Sequence, residues 1–265
     1  MRFFCIMIRR FLIISFKKTL EYRFNLISYF CTNLLLFLLQ ILFWNIIFKK
    51  FNGFYGWKIE QLIMLYSYTK IYYNLNWALS SGTFQFWRSI NSGELDVFLT
   101  KPVNPNWMIV GLRINFMPLF QLGFEITLMF IVLSFMGYQI DILRFIESLI
   151  MICLVVYTMN RIYLALNYTA FWIKQANFVV NILTMINPVI RYPITIYPDN
   201  IIKFFTYVLP LVFLATYPTL FTSHSITNED FFQINKTLVL VAITWTIITA
   251  YIWRKGLKNY ESGRG

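Results

Sequence analysis

The chain has 265 residues, of which 58% are hydrophobic, 20% aromatic and only 13% charged. This composition excludes an ordinary soluble domain, in which about 25% of residues are charged. The net charge of +12 does not indicate a nucleic acid partner, because the 23 Lys and Arg residues lie at the edges of apolar stretches and form no basic face. Anionic lipid headgroups are the partner that this charge distribution favours.

The first 25 residues are predicted to form an interfacial helix. On a helix of about 100° per residue, most charged residues of this segment fall within an arc of about 120°. They are Arg2, Arg9, Arg10, Lys17 and Glu21. Ile6 and Ile13 interrupt the arc, so a frayed basic leader is the alternative. No small-x-small motif follows, and we expect no cleaved signal peptide.

Seven apolar stretches could approach the length of about 20 residues that crosses the hydrocarbon core. They are residues 26–48, 61–80, 107–136, 142–168, 174–191, 204–221 and 236–253. Both ends of the chain are basic, which favours two cytoplasmic termini and an even number of crossings. The stretch 204–221 is the weakest, because Pro210 and Pro218 each remove a helix hydrogen bond, and we expect it to be re-entrant.

The expected fold is therefore one all-α integral membrane domain over residues 1–265. It has six transmembrane helices, an outer re-entrant segment at 191–235 and a cytoplasmic segment at 82–105. In this topology the loop 49–60 lies outside, although it contains three lysines, Lys49, Lys50 and Lys58, and only one acidic residue, Glu60. The loop therefore departs from the positive-inside rule.

Three ionisable residues lie within the predicted spans, where each needs a partner or water: Lys70, Glu125 and Arg161. Lys70 is ten residues from the outer end of span two, and Glu125 is eleven from the outer end of span three. This match in depth predicts an ion pair between them. The alternative is that each faces an aqueous pathway separately. Arg161 is in the inner half of its span, where a long side chain can snorkel to headgroups.

The segment 82–105 is the polar stretch between spans two and three. A helix from Thr83 to Asn91 is predicted to end before Gly93. Apolar Leu95, Val97, Phe98 and Leu99 then alternate with acidic Glu94 and Asp96, a mixture that suits a docking element. The alternative is a simple turn of the chain, with Pro102 and Pro105 separating two elements.

The sequence Ser-Gly-Glu-Leu-Asp-Val-Phe-Leu-Thr-Lys-Pro-Val-Asn-Pro at 92–105 resembles the signature of ABC-2 type permeases in the daunorubicin-resistance-like branch. The similarity continues through residues 191–198, 209–210, 217–218 and 253–263. It implies an N-terminal elbow helix, six spans, a cytoplasmic coupling helix after span two and outer re-entrant helices before span six. Thr100 and the first 60 residues depart from the family pattern.

The resemblance also implies partners. These are a second permease, identical or a sister chain, and two separately encoded ABC ATPase subunits that would bind ATP and magnesium. On this sequence, the residues expected to couple to the ATPase are Arg88, Glu94, Leu95, Asp96, Phe98 and Leu99, with Glu94 and Asp96 its main contacts.

No enzyme activity is expected of the chain itself. It has no Gly-Lys pair and therefore no P-loop, and the isolated His224 beside Ser223 makes no catalytic constellation. Cys5, Cys31 and Cys153 lack the spacing of a metal site or a disulfide framework. We expect no cofactor or metal in this chain.

The predicted function is export of a hydrophobic or amphipathic drug, peptide or lipid-like substrate across a bacterial cell membrane. One alternative is a non-transporting membrane scaffold or immunity protein. The other is an ion-coupled secondary transporter, for which repeated halves and interrupted helices would be expected.

Overall fold

The computed structural model describes residues 16–17, 21, 23–51, 54–101, 104–111, 115–173, 176–186, 189 and 191–260. These residues are mostly helical and contain no β-strand, apart from one isolated bridge between Phe54 and Trp57. The interfacial helix predicted over residues 1–25 lies almost entirely outside the described residues.

The helices follow one another with short connections. They are α1 (Arg23–Phe51), α2 (Ile59–Ser80), α3 (Phe86–Asn91), α4 (Glu94–Leu99), α5 (Pro105–Gly111), α6 (Met117–Phe135), α7 (Ile142–Asn167), α8 (Asn177–Ile186), α9 (Asp199–Tyr207), α10 (Thr216–Thr222) and α11 (Asn228–Lys258). Single 3-10 turns lie at Thr83–Gln85, Tyr168–Phe171, Ile194–Ile196 and Val212–Leu214. Among the described helices, α1, α6, α7 and α11 are long and apolar enough to cross a membrane.

Helix α2 is the central helix of the described structure. It packs against α1, α6, α7 and α10, and residues 61–69 are all buried. It is less apolar than the four long helices named above, because it contains several tyrosines and amides and Lys70. Neighbouring helices cover most of its surface. Its first turn is fixed by the side chain of Gln61, whose Oε1 accepts from the backbone N of Lys58 at 2.9 Å.

The prediction that the apolar stretch 107–136 forms one span is wrong. Helix α5 ends at Gly111, and α6 begins at Met117, with Asn115 and Phe116 outside both helices. Pro118 accounts for the break, because its ring would clash with the carbonyl of a preceding helical turn but fits the first turn of α6. Asn115 completes this start by accepting the backbone N–H of Met117 at 3.0 Å.

The fifth predicted span is also shorter than the apolar stretch 174–191. Helix α8 has 10 residues, which at about 1.5 Å per residue cover about half of the hydrocarbon core. Further along, α9 and α10 have 9 and 7 residues, and neither is long enough to cross. The chain is non-helical at Pro210, whereas Pro218 lies in the first turn of α10, where its missing N–H costs nothing.

Buried hydroxyls fix the short helix α10 between α2 and α7. The Tyr68 hydroxyl lies 2.6 Å from Thr222 Oγ1, and Ser148 Oγ lies 3.2 Å from the same atom. Arg144 donates to the carbonyl oxygen of Phe221 at 3.0 Å and lies over its ring. These contacts hold the non-spanning segment 209–223 firmly against two long helices.

Candidate functional site

Residues 83–101, called here the 83–101 segment, form two short helices with a sharp turn between them. The predicted helix ending is confirmed, since α3 stops at Asn91 and the backbone N of Ser92 donates to the Arg88 carbonyl at 2.9 Å. Gly93 then adopts φ +74°, which L side chains rarely adopt. This glycine lets α4 fold back at once, so that α3 and α4 pack on each other.

One face of the 83–101 segment is buried by an aromatic cluster at the C-terminal ends of α7 and α11. Phe86, Ile90, Leu95 and Phe98 contribute to this cluster from the segment. Trp253 of α11 is its other main member, with ring centroids 6.0 Å from Phe86 and 4.9 Å from Tyr168. The segment is therefore packed against two long helices of its own chain.

Two asparagines of α7 add polar anchors to this packing. Asn167 Oδ1 accepts from the backbone N of Trp87 at 2.9 Å. Asn160 Nδ2 donates to Ser80 Oγ and Thr83 Oγ1, each at 2.8 Å. Since the two asparagines are seven residues apart, they lie on one face of α7. They tie the beginning of the 83–101 segment to that helix.

Of the residues predicted to couple to an ATPase, Leu95 and Phe98 are buried, whereas Arg88, Glu94, Asp96 and Leu99 are partly or fully exposed. Leu95 and Phe98 pack the segment against its own chain. The Glu94 carboxylate accepts from Ser89 Oγ at 2.6 Å, across the turn at Gly93. Asp96 faces Tyr260 beyond α11, and burial together with this carboxylate raises the pKa of the Tyr260 phenol to about 12.

The opposite side of the segment is open, and we call it the exposed face. It includes Arg88, Val97, Leu99 and Lys101, together with the polar residues Gln85, Asn91, Ser92 and Thr100. Val97 and Leu99 are 56% and 41% exposed, so two apolar side chains of α4 are available for contact. Two cations beside two apolar side chains make a surface suited to a protein partner.

The predicted Lys70–Glu125 ion pair is not formed in this structure. Lys70 Nζ donates instead to Asn33 Oδ1 of α1 at 3.2 Å. Glu125 is fully buried, and neither of its carboxylate oxygens has a hydrogen-bond partner among the described residues. The helices were paired correctly, because α2 and α6 pack along each other and the two charges are close enough to interact. The lysine side chain, however, is turned towards α1.

Arg161 lies near the C-terminal end of α7. Its guanidinium lies over the ring of Tyr157, 5.0 Å from the centroid, and its backbone oxygen accepts from Thr249 Oγ1 at 2.9 Å. Its Nε is buried without a hydrogen-bond partner in the described part of the chain. Arg161 therefore contacts the α7–α11 interface and is far along the chain from Lys70 and Glu125.

Sequence reasoning missed the anchors of the segment. Asn160 and Asn167 share one face of an otherwise apolar helix, and this spacing was a usable signal. The contact of Tyr260 with Asp96 had no such signal, because it joins residues far apart in sequence.

The described fold is that of a multi-pass α-helical membrane protein, with long apolar helices around the buried α2. The model of a family described as "ABC-2 family transporter protein" matches residues 34–263. The chain belongs to the ABC-2 transporter family. Comparisons with curated proteins and with solved structures gave no match.

Proposed function

We propose that the chain is the permease subunit of an ATP-driven ABC-2 exporter. It would move a hydrophobic or amphipathic substrate out of a bacterial cell, as one of two permeases in a dimer. ATP and magnesium would be bound by separate ABC ATPase subunits. The observation that carries this proposal is the 83–101 segment of a chain in this family, anchored on one face and open on the other.

The anchoring suggests how force from an ATPase would enter the permease. Work at a distance requires a rigid element that moves as one body. Leu95, Phe98 and the Asn167 hydrogen bond join the segment to α7, and Trp253 joins it to α11. A push on the exposed face would therefore displace the ends of these two long helices, rather than bending the segment alone.

The proposed topology has six spans and cytoplasmic termini. The basic end of α11, with Arg254, Lys255 and Lys258 exposed, supports a cytoplasmic C-terminus. The 83–101 segment packs on this same end of α11, so both lie on one side of the membrane. The short helices α9 and α10 would then form the outer non-spanning segment. The resemblance at 92–105 favours the daunorubicin-resistance-like branch of the family.

A direct test is to purify the tagged chain from membranes of its native cells and to identify the proteins that remain bound. We expect an ABC ATPase with a Walker A motif and vanadate-sensitive ATP hydrolysis. A chain that purifies in folded form without such a subunit would contradict the proposal and favour a scaffold or immunity protein.

The acidic residues of α4 allow a second test. In the double variant Glu94→Lys/Asp96→Lys, we expect normal membrane insertion but loss of the stimulation of ATP hydrolysis by substrate. The cause is reversal of two partly exposed charges on the same short helix as the exposed Val97 and Leu99. Glu229→Lys, at the start of α11, is the matched control and should leave the stimulation unchanged. Full stimulation in the double variant would argue against the proposed role of the segment.

A further inference from the structure

The loop between α1 and α2 carries more positive charge than its own fold neutralises. Lys49 and Lys50 occupy the last turn of α1, and Lys58 precedes α2, whereas Glu60 is the one acidic residue of the loop. All three lysines are exposed, and in the described part of the chain none of them forms an ion pair. The loop therefore has cations available for a partner.

The chain beyond α1 is held in a tight turn that leaves Tyr55 uncovered. The backbone N–H of Trp57 donates to the Phe54 carbonyl at 2.9 Å, and Tyr55 and Gly56 between them have φ values of +49° and +79°. Two positive φ values in succession are typical of a type I′ turn. The Trp57 indole N–H donates to Thr195 Oγ1 at 3.0 Å, which fixes the turn to the segment after α8. Tyr55 is nevertheless 78% exposed.

A shallow cavity of about 690 Å³, called here the loop cavity, lies between this turn and the ends of α1 and α2. Phe51, Tyr55, Lys58 and Glu60 are among the residues that line it. Lys50 lies beside it, because its Nζ is 5.9 Å from the centroid of the Phe51 ring. The volume falls within the range of about 300–1,000 Å³ that is typical of small-molecule sites. One surface therefore joins two lysines to two exposed aromatic rings.

The position of the loop cavity favours a lipid headgroup as its occupant. The apolar part of α1 ends at Phe48, so the lysines follow where a spanning helix leaves the hydrocarbon core. At this depth a lysine stem can lie along apolar surface while its ammonium reaches lipid phosphates. Exposed aromatic side chains are also at home there. A zwitterionic headgroup has no net charge, whereas an anionic one offsets the excess of lysine over glutamate.

We propose that the loop cavity binds an anionic phospholipid. Lys50 and Lys58 bind its phosphate, and Phe51 and Tyr55 contact its glycerol and the adjoining part of its acyl chains. In the six-span topology this loop is outside, so the lipid belongs to the outer leaflet. The proposal gives a physical reason for the lysines that depart from the positive-inside rule.

The test places a benzophenone amino acid at Tyr55 of the full chain, in nanodiscs with equal amounts of phosphatidylglycerol and phosphatidylcholine. Both lipids carry the same acyl chains, and mass spectrometry measures the ratio of the two lipid adducts after illumination. We expect an enrichment of the anionic lipid of about fivefold or more, as follows from the attraction of one or two lysines to an anionic lipid. In the double variant Lys50→Gln/Lys58→Gln the two adducts should form equally.

The matched control is a lysine with the same local surroundings outside the loop cavity. Lys236 of α11 is exposed, and its Nζ lies 4.7 Å from the centroid of the Phe232 ring. Lys236→Gln should leave the ratio at Tyr55 unchanged, because Lys236 does not line the loop cavity. Lys50→Arg/Lys58→Arg keeps both charges and should keep the enrichment, which separates loss of charge from loss of folding.

Two results would overturn the inference. One is equal enrichment in wild type and in Lys50→Gln/Lys58→Gln. The other is equal enrichment with the probe moved to Phe232, since any lysine beside an aromatic ring at the membrane surface would then suffice.

A competition arm separates a lipid from a soluble anion. Glycerol phosphate, added in excess at constant ionic strength, should leave the enrichment unchanged, because it has no acyl chains for Phe51 and Tyr55 to contact. If it abolishes the enrichment, the loop cavity binds a soluble phosphate and the assignment to a lipid is wrong. Because no ATPase is present in this experiment, its outcome is independent of the proposed pairing with an ATPase.

Discussion

Asn167 shows how much can depend on one side chain in this fold. Its Oδ1 accepts the backbone N–H of Trp87, and its Nδ2 donates to the Tyr163 carbonyl at 2.7 Å. Asn167 is fully buried. A donor left without a partner in such a place costs about 1–3 kcal/mol. The side chain therefore helps to hold the start of α3 on α7, together with Asn160 and the aromatic cluster.

We expect Asn167→Ala to loosen the 83–101 segment without unfolding the long helices. Local opening of the segment should accelerate trypsin cleavage after the exposed Arg88 by about tenfold, as follows from the cost of the lost hydrogen bond. The measurement is the rate of appearance of the two fragments in detergent. Asn45→Ala is the control, because Asn45 bonds only to Ile41 of its own helix among the residues that the structure describes, and it should leave the rate unchanged. Identical rates for Asn167→Ala and wild type would contradict the anchoring role.

At the scale of elements, the turn at Tyr168–Phe171 lies between the 83–101 segment and α11 and contacts both. Gly256 makes this contact possible, because a Cβ on it would overlap the ring of Phe171. The two elements approach closely at this point, and the aromatic cluster fills the space around them. A larger residue must therefore push α11 away from the cluster.

The variant pair Gly256→Ala and Gly123→Ala tests this contact. Helix propensity alone predicts a gain of up to about 1 kcal/mol for both. At Gly256, in contrast, we expect a loss of about 1–3 kcal/mol from overpacking. At Gly123 of α6, the described residues outside its own helix backbone place no atom within 4 Å of the added Cβ, and the gain should appear. Thermal unfolding in detergent measures both, and a stabilised Gly256→Ala would show that the α11 contact is not tight.

Helix positions could be predicted from the sequence where apolar runs and stop signals agree. The interval 61–80 became α2, and α3 ended before Gly93, because these boundaries depend on local chemistry. The prediction of one span over 107–136 was wrong, because counting apolar residues ignored Pro118. Proline is accepted in the first turn of a helix but interrupts a helix that would continue through it. The predicted length of the fifth span was too great for a related reason. An apolar run does not specify where the helix ends.

The candidate site was only partly predictable. The motif at 92–105 located the 83–101 segment, but no local pattern showed that Leu95 and Phe98 face inwards while Val97 and Leu99 face outwards. The depth match brought α2 and α6 together correctly. It could not show that Lys70 turns towards Asn33, because the choice between two helices depends on side-chain packing around α2. Tertiary contacts of this kind are outside the reach of spacing rules.

At the scale of the whole molecule, the account requires that the exposed face of the 83–101 segment contact an ATPase in the cytoplasm. The loop around Tyr55 provides the comparison position, since Tyr55 is 78% exposed and lies before α2, at the end opposite the segment. In the six-span topology this loop is outside the cell. Val97 and Tyr55 should therefore meet different proteins in the living cell.

The most direct measurement is in vivo photo-crosslinking with a benzophenone amino acid placed at Val97 or at Tyr55, followed by mass spectrometry of the adducts. The account predicts that the probe at Val97 crosslinks to an ABC ATPase subunit and that the probe at Tyr55 does not. It would be contradicted if Val97 gave no ATPase adduct while its probe was reached by an impermeant reagent from outside intact cells.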